Sequence, residues 1–79
     1  MEKSIHQKRY RIMISLLRQK REAFGMTQIQ LAEKLNVSQA VVSKIETCER
    51  RLDVIELIDV CNAINTPYLD FFAELNEKL

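Results

Sequence analysis

Four side chains in a short stretch of this sequence have the chemistry needed to read the edges of DNA bases. Gln39 carries an amide that can form two hydrogen bonds with adenine, and Lys44 can donate to guanine. Ala40 offers a methyl group for contact with thymine, and Ser43 lies next to Lys44 in the chain. These groups can act together only if one helix presents all four on the same side, so the neighbouring sequence decides what they can do.

Residues 27–46 predict two short helices joined by a tight turn. Thr27 is placed as the N-cap of the first helix, Gln30 completes a capping box, and Met26 can pack on the first turn. Asn36 ends the helix, because a left-handed C-terminal cap suits Gly first and Asn next. The apolar residues between these signals recur with a helical period: Ile29, Leu31, Ala32 and Leu35.

The second helix is predicted to begin after a turn of about three residues, with Ser38 as its N-cap and Val37 able to pack on its first turn. Val42 and Ile45 then face the core, which leaves the four base-reading candidates on the other side. Ala32 in the first helix is small enough to let the second helix cross close to it. This geometry is a helix-turn-helix.

A further helix is predicted before this pair. It runs from Ile5 to Ala23, is opened by Ser4 with Gln7 in capping-box register, and is stopped by Gly25. Its buried face is predicted to contain Met13, Leu16, Leu17 and Phe24.

Two more helices are predicted after the pair. Asp53 and Glu56 form a capping box at the start of a helix of about ten residues, and Leu52 can pack on its first turn. The buried stripe of that helix is predicted to contain Val54, Leu57, Ile58, Cys61 and Ile64. Thr66 and Pro67 open a fifth helix, with Pro67 at the first helical position, where its missing N–H costs nothing. The sequence therefore predicts one all-α domain of five helices over residues 1–79.

Composition agrees with this fold class and narrows the function. The 79 residues are 47% hydrophobic with one Gly and one Pro, which favours a helical bundle over a β-rich or disordered chain. No apolar run approaches the roughly 18 residues of a membrane span and no signal peptide is visible, so we expect a soluble, cytoplasmic protein. Two cysteines, no nucleophile–base arrangement and no Gly-rich phosphate loop predict no disulfide, metal, cofactor, small-molecule ligand or enzyme activity.

Charge is divided along the chain, although the net charge is only +1. Residues 1–51 carry eleven Lys or Arg against five Asp or Glu, whereas residues 52–79 carry one Lys against six Asp or Glu. The basic part, residues 1–51, could face phosphates, while the acidic part, residues 52–79, stays in solvent or meets a partner. Ordinary solvated helix surface explains the asymmetry equally well.

Taken together, these motifs resemble the lambda-repressor/Cro type of helix-turn-helix, often called the XRE family of transcriptional regulators. The resemblance covers residues 17–72 and is carried by LRQKREAFGMTQIQLA, SQAVVSKIE and ERRLDVIEL. The combination at fixed spacing is far more specific than any one piece. It implies a lambda-repressor-like fold with helices 2 and 3 as the helix-turn-helix, and double-stranded DNA as the partner.

The resemblance also implies a role for individual positions. Base contacts would come from Gln39, Ala40, Ser43 and Lys44. Phosphate contacts would come from Thr27, Gln28, Ser38, Arg50 and Arg51, with Gln28 also bracing the third helix. Arg21 would form a structural ion pair with Glu46.

Two positions depart from the pattern of the family. Cys48 stands where the family usually has Gly, so that turn needs another cap or accepts modest strain. Leu52 replaces the Pro that usually follows. Neither change touches the predicted reading surface.

One domain of this kind reads about half a site, and such domains usually pair with half-sites near one DNA turn apart. We therefore expect a homodimer on a palindromic operator, with residues 67–79 as the dimerisation helix. Its predicted interface residues are Tyr68, Phe71, Phe72, Leu75 and Leu79. All of them could instead serve the core of a single chain.

The favoured function is a small transcriptional regulator, a dimeric repressor that occludes a promoter. One alternative is an antitoxin that binds a partner protein as well as its own operator. Another is a restriction-modification controller, which activates as well as represses and has the same size and fold.

Overall fold

Five α-helices follow one another in a computed structural model that describes residues 7–79. They are α1 (Lys8–Ala23), α2 (Gln28–Leu35), α3 (Gln39–Glu46), α4 (Val54–Ala63) and α5 (Tyr68–Lys78). The described residues contain no strand, so the prediction of an all-α, five-helix fold is confirmed. The predicted cap Ser4 and first helical residue Ile5 lie outside the described residues. Gln7 is described, and with an extended ψ of 146° it is the N-cap of α1, so the prediction that Gln7 lies inside this helix is wrong. None of the helices formed by residues 7–79 is long and apolar enough to span a bilayer.

The predicted N-terminal caps of α2, α3 and α4 are present. In α2, the amide of Gln30 donates to the Thr27 hydroxyl at 3.1 Å, and the Thr27 amide donates to the Gln30 side chain at 2.9 Å. Asp53 and Glu56 form the same reciprocal box on α4, at 2.7 and 3.0 Å. Ser38 accepts from the third residue of α3 at 3.4 Å. These local bonds satisfy amides that the helices leave open and so define where each helix begins.

The fifth helix begins one residue later than predicted. Pro67 has an extended ψ of 132°, so it is the N-cap of α5 and not its first helical residue. Its carbonyl accepts the first helical bond, from Phe71 at 3.0 Å. Thr66 makes no capping bond to α5; its hydroxyl donates back to the carbonyl of Ile64 at 3.4 Å.

All five helices contribute to one apolar core. Phe71 of α5 and Cys61 of α4 are fully buried at its centre, and Ala32 of α2 is 3% exposed beneath α3. The other buried apolar side chains are Ile14, Leu16, Leu17, Met26, Leu31, Val42, Ile45, Leu52, Leu57, Val60, Ile64 and Leu75. Burial of this surface is the main stabilising contribution in such a small domain.

Two side chains predicted to lie on buried faces are exposed. Phe24 is 50% exposed, because it is the residue at which α1 ends and the chain turns away at Gly25. Val54 is 63% exposed, since it lies in the first turn of α4 and to one side of its buried stripe. At these two helix ends the buried apolar side chains are those of Met26 and Leu52, which lie just outside the helices. Ile29, for which no burial was predicted, is 55% exposed on the side of α2 that faces away from Leu31.

The first four helices end with the same backbone motif. In each, a residue with positive φ follows the helix, and two amides bond back to carbonyls in the last turn. These residues are Gly25 (φ 77°), Asn36 (57°), Cys48 (62°) and Asn65 (55°). Gly and Asn tolerate this left-handed conformation, whereas Cys does not favour it. The departure from Gly at Cys48 therefore leaves the motif intact and introduces local strain.

A buried ion pair fastens α1 to the end of α3. Arg21 is only 6% exposed and its guanidinium makes three hydrogen bonds. Nε donates to Glu46 at 2.6 Å, Nη2 donates to the other oxygen of Glu46 at 3.0 Å, and Nη1 donates to the carbonyl of Met26 at 2.7 Å. Bidentate geometry and complete bonding are what allow both charges to stay buried.

Removing one partner of this pair should be strongly destabilising. Arg21→Met leaves the Glu46 carboxylate, whose side chain is 6% exposed, without two of its donors. We expect the free energy of unfolding to fall by about 3–5 kcal/mol, measured by urea denaturation followed by circular dichroism. The double variant Arg21→Met, Glu46→Leu should lose less than the single variant, because no charge stays buried. A single-variant loss below about 1 kcal/mol would show that the pair does not hold α1 to α3.

Relief of the strain at Cys48 should stabilise the protein. Cys48→Gly removes the Cβ from a left-handed position, whereas Cys48→Ala keeps the Cβ and removes only the sulfur. We expect the Gly variant to exceed the Ala variant in free energy of unfolding by about 1 kcal/mol. Thermal or urea unfolding of the two proteins measures this difference, and equal stabilities would contradict the assignment of strain.

Candidate nucleic-acid interface

The third helix is anchored on one side and open on the other. Val42 and Ile45 are 1% and 5% exposed and fix it on the core. A rotation of about 100° per residue places Ala40, Ser43 and Lys44 opposite these anchors. Gln39, Ala40 and Lys44 are exposed and Ser43 is half-buried. Ala40, Ser43 and Lys44 therefore lie on the outer side of α3, and Gln39, the first residue of the helix, is exposed at the edge of that side.

Two hydroxyl groups lie at the N-termini of the two helices of the motif. Those of Thr27 and Ser38 accept backbone amides at 3.1 and 3.4 Å, and each keeps its own O–H as a donor. The first turn of each helix also carries the positive end of the helix dipole. Both N-termini are therefore suited to hold an anion such as a DNA phosphate.

Gln28 connects the start of α2 to the end of α3. Its side-chain nitrogen donates to Glu46 at 2.8 Å, on the same carboxylate oxygen that accepts from Nη2 of Arg21. The amide nitrogen carries two N–H groups, so one donor remains for a phosphate. Sequence reasoning predicted that Gln28 braces α3 but did not identify Glu46 as the acceptor. A polar pair 18 residues apart leaves no local signal.

The two arginines after α3 differ in their surroundings. Arg51 is exposed, and among residues 7–79 no carboxylate lies within ion-pair distance of it. Arg50 is paired with Glu56 of α4 at 2.8 Å. Hydrogen bonding to Glu56 raises the pKa of Arg50, and the same bond, aided by the Asp53 amide, lowers the pKa of Glu56. Both groups are thus charged at neutral pH. Sequence reasoning missed this pair, although Glu56 itself was identified as a capping residue.

The predicted dimerisation helix is only partly available for an interface. Phe71 is fully buried and Leu75 is 8% exposed, so these two residues belong to the core of their own chain and are removed from the predicted interface. Tyr68 (40% exposed) and Leu79 (58%) remain accessible, and Leu69 beside them is 69% exposed. The spacing of apolar residues identifies the apolar surface of α5 but does not show which part of it the chain's own core covers.

The accessible side chains of α5 line two neighbouring depressions of the surface. Tyr68 and Leu69 line a shallow pocket with the loop between α4 and α5. Phe72 and Leu79 line an apolar groove between α1, α4 and α5, which Arg51 borders. The rings of Tyr68 and Phe72 meet edge to face, with centroids 6.4 Å apart. The start of α5 therefore offers the more exposed apolar surface.

Neither cysteine is among the side chains on the outer side of α3. Cys61 is fully buried, and burial raises the pKa of its thiol to about 11, so it packs as a small apolar group. Cys48 is half-buried after α3, and both thiols are free. Within residues 7–79, no three His, Cys, Asp or Glu side chains are grouped closely enough to hold a metal ion.

Comparisons with known proteins agree with this geometry. A family model described as helix-turn-helix matches residues 17–71. Among solved structures, the chain is similar to an XRE-family like protein from Pseudomonas syringae pv. tomato str. DC3000, with 43% identity and a TM-score of 0.88 over 96% of this chain and 93% of that chain. It is also similar to a point mutant of the restriction-modification controller protein C.Esp1396I, with 27% identity and a TM-score of 0.83 over 90% and 95% of the two chains. No curated protein gives a significant match.

The matched region begins in α1, contains both helices of the motif and ends in α5. It therefore includes the buried pair of Arg21 and Glu46, the outer side of α3 and the two arginines that follow it. The resemblance stated from the sequence is confirmed. The chain belongs to the XRE family of helix-turn-helix proteins, DNA-binding transcriptional regulators with the lambda-repressor-like fold.

Proposed function

We propose that this protein is a dimeric repressor that reads a palindromic operator by placing α3 in the major groove. The single observation that carries the proposal is the outer side of α3. Its small and amide side chains are accessible, while its inner side is fixed by Val42 and Ile45. A major groove admits one α-helix, and an anchored helix presents its side chains to the base edges in a defined register.

The base contacts in this proposal are made by Gln39, Ala40, Ser43 and Lys44. Gln39 is the first residue of α3, and the N-terminal residues of a recognition helix are those that enter the groove. Its amide is matched to adenine, and Lys44, four residues on, can donate to guanine. Ala40 between them is small enough to let the backbone of α3 approach.

Phosphate contacts surround these base contacts. Thr27, Gln28 and Ser38 donate from the N-termini of α2 and α3, where hydroxyl and amide hydrogens are available. Arg51 and Arg50 donate from the loop after α3. Such contacts fix register and supply salt-dependent affinity without carrying sequence information.

Selection of bound sequences from random duplex DNA with the purified protein tests the proposal as a whole. We expect enrichment of a palindrome whose half-sites are centred about 10 base pairs apart. Enrichment of a single, non-repeated half-site would remove the dimer from the proposal. Failure to enrich any sequence would contradict sequence-specific binding.

Substitution of Gln39 should change which sequence is bound. Gln39→Ala removes the amide that reads adenine, so the preference for the matched base should fall by about 1–3 kcal/mol, or roughly 5- to 150-fold. Fluorescence anisotropy with the selected duplex and with a duplex changed at one base pair measures this preference. Arg51→Ala is the control, because loss of a phosphate contact weakens both duplexes alike. Equal losses on both duplexes for Gln39→Ala would remove the base-reading assignment.

The proposed dimer predicts that self-association depends on the start of α5. Wild-type protein should sediment as a dimer at micromolar concentration, and Leu69→Ser should weaken the dimer by more than about tenfold, since an apolar side chain is lost from each copy. Ile29→Ser is the matched control, because Ile29 is similarly exposed but lies on α2. A monomer mass that stays constant with concentration in the wild type would end the proposal of a dimer.

A second candidate function is control of a restriction-modification system. It is favoured by the similarity to a protein of that name over 90% of this chain. Such a controller activates as well as represses, so transcription in vitro from a promoter carrying the selected operator separates the two functions. Repression at every protein concentration favours the simple repressor, whereas activation at low concentration followed by repression favours the controller.

A further inference from the structure

Arg50 is held by a carboxylate that is itself fixed in place. Its Nη2 atom lies 2.8 Å from Oε2 of Glu56, and the two side chains are 40% and 37% exposed. The other oxygen of Glu56, Oε1, accepts the backbone amide of Asp53 at 3.0 Å. The capping box of α4 therefore holds Glu56 in a defined position, and Arg50 meets a preformed acceptor.

Arg50 and Arg51 are thus adjacent in sequence but unequal in electrostatic terms. Asp53 adds a second, weaker attraction on Arg50. Asp59 of α4 lines a pocket together with Arg50 and Glu56 but forms no ion pair with Arg50. Arg51 is exposed and has no ion-pair partner in the part of the chain that the structure describes. A phosphate that approaches this loop meets one available guanidinium and one that is already paired.

We propose that Glu56 competes with DNA phosphate for Arg50 and thereby limits how tightly the loop between α3 and α4 binds the DNA backbone. The inference rests on the proposed function, in which Arg50 is a phosphate contact. For Arg50 to reach a phosphate, the bond to Glu56 must break. A half-exposed pair of this kind changes an equilibrium constant by a factor of about two to five.

The competition acts on overall affinity and not on sequence preference. A phosphate contact contributes the same free energy on matched and mismatched DNA, because the backbone carries no base information. Loss of the Glu56 charge should therefore tighten binding to both kinds of duplex by the same factor. Both partners stay charged near neutral pH, since their bond lowers the pKa of Glu56 and raises that of Arg50.

Glu56→Gln removes the charge of Glu56 without removing its role in the capping box of α4. Gln keeps the side-chain oxygen that accepts the Asp53 amide, so the cap of α4 is retained while the charge is lost. Glu74→Gln is the matched control. Glu74 is 38% exposed and pairs with Lys20 between α5 and α1, so its replacement changes the net charge equally at a distant ion pair.

The experiment measures dissociation constants for wild type, Glu56→Gln and Glu74→Gln on the same duplex at one salt concentration. We expect Glu56→Gln to bind about two- to fivefold more tightly than Glu74→Gln. In a chain that also carries Arg50→Met, Glu56→Gln should add no affinity beyond that of the charge control. Equal or weaker binding by Glu56→Gln, or a gain that persists without Arg50, would overturn the inference.

A second comparison does not depend on the Glu56 variant being folded. Arg50→Met should lose less affinity than Arg51→Met, because only Arg50 begins with a partner. An equal or larger loss for Arg50→Met overturns the inference while leaving the proposed function in place. If wild-type protein binds no duplex DNA, the proposed function fails and this inference fails with it.

Discussion

Glu46 ends α3 with a carboxylate that is almost entirely buried, and a buried charge is stable only when its hydrogen bonds are complete. Arg21 supplies two of these bonds from α1, and Gln28 supplies one from α2. Three helices therefore meet at one side chain. Apolar packing through Val42 and Ile45 fixes which side of α3 is buried, and the polar contacts fix its end. The outer side of α3 has a defined direction because both constraints act together.

Local signals in the sequence predict most of the helix boundaries, because the groups that form a cap are three residues apart. The boxes at Thr27 and Asp53 and the left-handed end at Asn36 all occur as predicted. The errors concern which side chains are buried, because burial depends on the rest of the fold. Phe24 and Val54 have the spacing of buried residues, but at these helix ends Met26 and Leu52 are buried instead.

The side chains that α3 exposes can be predicted from the sequence more fully than the hydrogen bonds that Gln28 and Arg50 make with other helices. The side chains that face outward from α3 follow from the helical period once Val42 and Ile45 are assigned to the core. The partners of Gln28 and Arg50 do not follow, because their acceptors lie on other helices. The sequence also predicted an interface role for Phe71, whereas its ring fills the centre of the core. Residues of an amphipathic terminal helix can be divided between core and partner only when the packing of that helix is known.

The most direct test of the central claim, that α3 with its two flanking N-termini forms the DNA-binding surface, is a titration of isotope-labelled protein with its selected duplex, followed by amide chemical shifts. The account predicts that the largest changes occur at Gln39, Ala40, Ser43 and Lys44, with further changes at Thr27 and Ser38. The C-terminal half of α5 should change little. Changes concentrated in α4 and α5, with the amides of α3 unaffected, would contradict it.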